Sequence, residues 1–91
     1  MPPAPHRIPD LPLQPSEAVG VVVRRRREAA GLTQERLGET AGLHVTYVRR
    51  VESTRHSPSV QVLWKLAKGL GVPFSTLCAE VEAEVGASNE G

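Results

Sequence analysis

The stretch QERLGETAGLHVTYVRRV, residues 34–51, decides the reading of this 91-residue chain. Leu37 and Ala41 fall on one side of a helical segment, and Val48 and Val51 on one side of the next. Between them stands Gly42, the residue that a tight inter-helix turn with φ > 0 asks for. Gly38 is harder to explain locally, because glycine inside a helix costs about 1 kcal/mol relative to alanine. That cost is recovered where another backbone approaches closely, so Gly38 predicts two short helices crossing in contact. Leu37, Leu43, Val48 and Val51 are the apolar pegs behind the crossing.

Working outward, the spacing predicts three more helices and no strand. A first helix over about residues 17–30 is capped by Ser16, carries Val19, Val22, Val23 and Ala30 on one face, and stops at Gly31. Its last turns hold Arg24 to Arg27, where cations suit the negative end of the helix dipole. Thr33 caps the second helix, and the third runs from about Val45 to Ser53. Ser59, directly after Pro58, opens a fourth with Val60, Val62, Leu63, Leu66, Ala67 and Leu70, ending at Gly69 to Gly71. Ser75 is read as the cap of a fifth, with Leu77, Val81 and Val85 four apart on one stripe. Six of the eight prolines lie in the first fifteen residues, so residues 1–15 are expected to be a flexible, extended or disordered Pro-rich arm. The expected organisation is that arm, an all-α domain over residues 16–85, and a flexible tail over 86–91.

Composition narrows the function classes. With 40% apolar residues and only Tyr47, Trp64 and Phe74 as aromatics, the core must be small and built from Val, Leu and Ala. One cysteine, Cys78, closes no internal disulfide, and no Cys/His spacing suits a metal, so no cofactor is expected. His6, His44, His56 and Cys78 show no pairing of nucleophile with base, which argues against an enzyme. No apolar run approaches the roughly 18 residues of a membrane span, and residues 1–15 lack an apolar signal stretch; a cytoplasmic protein without membrane contact is expected. The net charge of +1 conceals an uneven distribution. Residues 24–68 hold ten basic and four acidic side chains, whereas residues 69–91 hold four acidic and no basic ones. A basic middle beside an acidic end points to a face that meets a polyanion.

Gly31-Leu-Thr-Gln-Glu-Arg-Leu-Gly38, Ala41-Gly-Leu-His-Val-Thr-Tyr-Val-Arg-Arg-Val-Glu52 and Ser57-Pro-Ser-Val60 resemble the phage-repressor and Cro family of helix-turn-helix proteins, the lambda-repressor-like domains. The resemblance covers about residues 17–78, with the motifs in order. Within that family, the Leu43 to Val48 run and the small size look like the controller proteins of restriction-modification systems. The resemblance implies a compact five-helix domain, with the second and third helices as the helix-turn-helix. It further implies a homodimer on double-stranded DNA, nucleoid-associated in the cytoplasm, with the third helix in the major groove. Three positions depart from the family pattern: Arg36 stands where Glu is common, Thr54 where Gly is usual, and Arg26 where Leu is common.

Roles follow residue by residue. Val45, Thr46, Arg49 and Arg50 begin or face out from the third helix and are expected at base edges. Arg50, with a forked guanidinium for guanine O6 and N7, is the leading reader. Gln34 is expected on a phosphate, as the resemblance implies, with Thr33, His44, Tyr47, Arg55, Ser57 and Ser59 as further backbone contacts and His56 beside them. Arg27 and Glu52 match a family ion pair that would fix the reading helix. Trp64, Leu77, Val81 and Val85 exceed what so small a core buries and are expected at a dimer interface, with Glu80, Glu82 and Glu84 keeping that end off the phosphates. The expected function is a sequence-specific transcriptional repressor or autoregulator on a pseudo-palindromic operator. The alternative is a protein-interaction module of the same fold, an antitoxin or bridging factor with a protein partner and DNA binding secondary.

Overall fold

Five helices succeed one another, each with a local chemical cause at its ends, in the computed structural model, which describes residues 7–54 and 57–90. They are α1 (Pro15–Ala29), α2 (Gln34–Ala41), α3 (Val45–Glu52), α4 (Val60–Leu70) and α5 (Phe74–Glu90). No strand occurs among the described residues.

Helix α1 begins before the Ser16 cap expected from the sequence. Pro15 takes the first helical position, where a missing N–H costs nothing, and the Glu17 carboxylate accepts from Gln14 N at 3.0 Å. Gln14 is 5% exposed. Its side-chain amide accepts from Ile8 N at 2.7 Å and donates to the carbonyls of Ile8 and Leu11 at 2.9 and 3.2 Å. Residues 8–14 therefore close a loop around one satisfied polar group. At the other end of α1, Ala30 is an exposed C-cap and not part of the apolar stripe.

Side chains cap the next three helices. Thr33 Oγ1 accepts from Arg36 N at 3.0 Å, His44 Nδ1 from Thr46 N at 3.1 Å, and Ser59 Oγ from Val62 N at 3.1 Å. Ser75 does not cap α5. The helix starts one residue earlier, and the Pro73 carbonyl accepts from Thr76 N at 3.0 Å and Leu77 N at 3.2 Å. It also continues to Glu90, through residues expected as a tail, because only Gly86 interrupts a run otherwise free of helix breakers.

The core gathers one face from each helix. Val19, Val22 and Val23 of α1 meet Leu37 of α2, Val48 and Val51 of α3, Leu66 of α4 and Leu77 of α5, none more than 5% exposed. Such small side chains pack tightly only if the helices come close, and glycines at the crossings allow it, Gly69 of α4 against Ala41 of α2 among them. A Cβ at Gly38 would lie 2.7 Å from the Leu43 carbonyl oxygen, which is the close crossing expected from the sequence. A Cβ at Gly20, unremarked in the sequence, would run into the Val51 carbonyl oxygen, so α1 and α3 also touch backbone to backbone. The consequence for function is that α3 is clamped between α1 and α2 with one face left outward.

Candidate nucleic-acid interface

The outward face of α3 carries Thr46, Tyr47, Arg49 and Arg50, all exposed, while Val48 and Val51 are wholly buried behind them. Val45 is half-buried where α3 leaves the turn at Gly42, so it offers less of its side chain than Thr46 does. Arg50 makes no ion pair with any described residue. Arg49 is different, because its Nη2 donates to Glu35 Oε1 at 2.9 Å.

His44 contributes more than a neighbouring ring. Its Nδ1 accepts the Thr46 backbone N–H, which assigns the neutral ring's proton to Nε2. That N–H is a donor at the first turn of the exposed helix, suited to a phosphate oxygen. Thr33 and Ser59 use their oxygens as acceptors for caps, and each hydroxyl proton stays available to donate. Ser57 is exposed before the start of α4. Arg55 and His56 lie outside the described residues.

A polar network behind α3 sets its direction. Arg27 Nε and Nη2 donate to Glu52 Oε2 and Oε1 at 2.6 and 2.9 Å, and Arg27 Nη1 donates to the Leu32 carbonyl at 2.8 Å. Gln34 Nε2 also donates to Glu52 Oε1 at 3.2 Å, so the first residue of α2 joins the end of α3. The Arg27 and Glu52 side chains are only 13% and 4% exposed. Hydrogen bonding to Glu52 raises the already high Arg27 pKa, so the guanidinium keeps its charge throughout. One amide hydrogen and the Oε1 of Gln34 remain for another partner.

The basic middle segment is not uniformly turned outward, contrary to the simplest reading of its charge. Arg24 pairs with Glu28, Arg25 with Glu84, Arg26 with Glu80 and Arg36 with Glu39. Glu80 and Glu84 thus fasten α5 to α1 through Arg26 and Arg25. Arg26 holds both Glu80 oxygens through Nε at 2.7 Å, and this hydrogen bonding is the main reason the Glu80 carboxyl titrates below its ordinary range. What remains without an acidic partner among the described basic residues is Arg50 on α3 and Lys65 and Lys68 on α4.

Of the expected interface stripe, Leu77 is a correction. It is 1% exposed and belongs to the monomer's core, because α5 turns that position toward α1 and α4. Val81 and Val85 are half-buried and line a shallow groove with Pro15, Cys78 and Glu82. Trp64 is 59% exposed and stands in a separate groove, its ring 5.0 Å from that of Phe74. Sequence reasoning missed Glu35, Glu80 and Gly20 as positioning residues. Gly20 carried the same signal as Gly38, a glycine inside a helix, whereas the two carboxylates could be placed only once the helices were.

Comparison with known proteins follows the same lines. A helix-turn-helix family model matches residues 23–77. The HTH-type transcriptional regulator SutR of Escherichia coli (strain K12) is 36% identical over 58 residues, which are 64% of this chain and 33% of that protein. The immunity repressor protein of Bacillus phage phi105 is 33% identical over 78 residues, 79% of this chain and 54% of the repressor. The chain thus spans about a third and about half of these two relatives. The crystal structure of the restriction-modification controller protein C.AhdI from Aeromonas hydrophila matches with a TM-score of 0.65 at 34% identity, covering 68% of this chain and 94% of that one.

Proposed function

The chain belongs to the helix-turn-helix family of lambda-repressor-like domains, and on that premise we propose that it is a sequence-specific DNA-binding transcriptional regulator, a repressor or autoregulator in the cytoplasm. In this reading a homodimer binds a pseudo-palindromic operator, with α3 of each copy in the major groove and half-sites about 34 Å apart. The observation that carries it is Arg50: an exposed guanidinium, free of acidic partners among the described residues, on a helix whose direction is locked by the Arg27–Glu52 pair. Such a group donates bidentately to guanine O6 and N7, a contact worth roughly 1–3 kcal/mol of discrimination. Thr46 brings a methyl and a hydroxyl to the adjacent base, with Val45 and Arg49 beside it. In this reading Gln34, His44, Tyr47, Thr33, Ser57 and Ser59 serve the phosphates, and Arg55, outside the described residues, is given the same role from its place in the sequence. No helix of the described residues is long and apolar enough to cross a membrane.

The test is binding to the DNA upstream of the protein's own coding sequence across a salt series, beside Arg50→Ala. Tight, salt-sensitive binding that loses sequence preference in the variant is expected. The rival reading, a protein-interaction module of the same fold, draws on the exposed Val60 and Trp64 of α4, at 70% and 59%. It predicts no preference over random duplex at low salt.

A further inference from the structure

Two arginines stand next to each other on the exposed face of α3, and they are held differently. Arg49 Nη2 lies 2.9 Å from Glu35 Oε1, whereas Arg50 has no such partner among the described residues. Glu35 is the second residue of α2, directly after Gln34, so its carboxylate stands at the edge of the surface that α3 presents. Both partners remain more than half exposed, at 57% and 58%. An exposed pair of this kind contributes about 0–1 kcal/mol to folding, so the fold does not depend on it. Its effect falls on what approaches: Arg49 meets any polyanion already holding a carboxylate, and a phosphate must displace or tolerate that charge.

We propose that Glu35 is a specificity-determining residue, which tethers Arg49 and restrains it from indiscriminate phosphate contact. The inference rests on the DNA-binding reading above and assigns unequal roles to the two arginines. Nonspecific affinity grows with the number of phosphates neutralised, each steepening the salt slope by about 0.9. With Arg49 tethered, a random duplex finds one fewer available cation on α3. A cognate duplex loses less, because Arg50 and Thr46 fix the register through base contacts that Glu35, bonded to Arg49, does not touch. The tether therefore widens the gap between cognate and random DNA, chiefly by weakening the latter.

The experiment compares the full-length protein with Glu35→Gln, Arg49→Ala and the double variant. Two probes are used, a random-sequence duplex and a duplex selected by the wild-type protein from a randomised library, each over a salt series. Glu35→Gln is expected to bind the random duplex about fivefold more tightly, with a salt slope steeper by about one ion, and to gain less than that on the selected duplex. The gain should vanish when Arg49 is alanine, which separates release of the tether from the mere loss of a negative charge. Unchanged melting of each variant would place the effect at the surface. An equal gain with and without Arg49, or an unaltered salt slope, would overturn the tether and leave the DNA reading standing. Failure of all four proteins to bind either duplex would overturn both.

Discussion

Arg27 and Glu52 join the last turn of α1 to the last residue of α3 through two parallel hydrogen bonds of 2.6 and 2.9 Å. Arg26, the preceding residue, joins the same turn to Glu80 of α5. Consecutive side chains of one helix turn thus hold α3 on one side and the C-terminal helix on the other. Neither pair is on the surface that α3 presents, so both act on geometry rather than on contact.

Glu52→Gln should test the first of these. Removing one partner of a buried pair costs about 3–5 kcal/mol, and the residual 13% exposure of Arg27 places this case near the lower end. Urea unfolding should show a lowered midpoint with an unchanged slope. Affinity for DNA should fall as well, because α3 and Gln34 both lose their anchor. An unfolding midpoint equal to wild type would show that the pair does not hold α3.

The second pair gives a pH dependence with a definite sign. Hydrogen bonding to Arg26 lowers the folded-state Glu80 pKa most; burial opposes this, and the charges of Arg26 and Arg25 add to it. A carboxyl depressed on folding stabilises the protein above its unfolded value, roughly 4.3, and loses that contribution as pH falls through the lower folded value. The melting-temperature gap between wild type and Glu80→Gln should therefore be level from neutrality to about pH 5 and close in more acid solution. A gap independent of pH, or no gap at all, would mean that Arg26 and Glu80 do not interact in solution.

Two glycines inside helices should respond in opposite directions. At Gly20 a methyl would meet the Val51 carbonyl and the Thr54 methyl, forcing α1 and α3 apart, so Gly20→Ala should destabilise by about 1–3 kcal/mol. At Gly86 nothing lies within 4 Å of the added carbon, and Gly86→Ala should stabilise α5 by about 0.5–1 kcal/mol. Thermal melts of the two variants check both. Equal shifts would show that the α1–α3 contact is looser than the backbone distances imply.

How far the sequence could be read depends on whether a signal was local. Gly38, Gly42 and the spacing of Leu37, Val48 and Val51 each have a cause within a few residues, and the helix-turn-helix followed from them. The caps at Thr33 and Ser59 were visible for the same reason. Ser16 and Ser75 misled because a proline starts the helix instead, Pro15 by taking the first helical position and Pro73, two residues before Ser75, through its carbonyl. Leu77 shows the harder limit: the stripe with Val81 and Val85 is real in spacing, yet which of its members faces the core depends on how α5 lies against α1. Charge was the least legible of all. Arg25 and Arg26 meet carboxylates more than fifty positions away, so no local rule could tell them from Arg50, which has no acidic partner among the described residues.

The correction at Leu77 separates two variants that sequence spacing would have treated alike. Leu77→Ala removes a side chain that is 1% exposed and should cost about 2–5 kcal/mol of monomer stability. Val85 is half-buried beside Cys78 and Val81 and lies outside the core cluster, so Val85→Glu should leave the monomer folded. If a second copy seats on this groove, sedimentation should find wild type as a dimer and Val85→Glu as a monomer. Affinity for a duplex bearing two half-sites should then fall far more than affinity for a single half-site, because the second contact no longer benefits from being intramolecular. A Val85→Glu protein that still sediments as a dimer would move the interface off this groove, and the exposed Trp64 face of α4 would be the surface to change next.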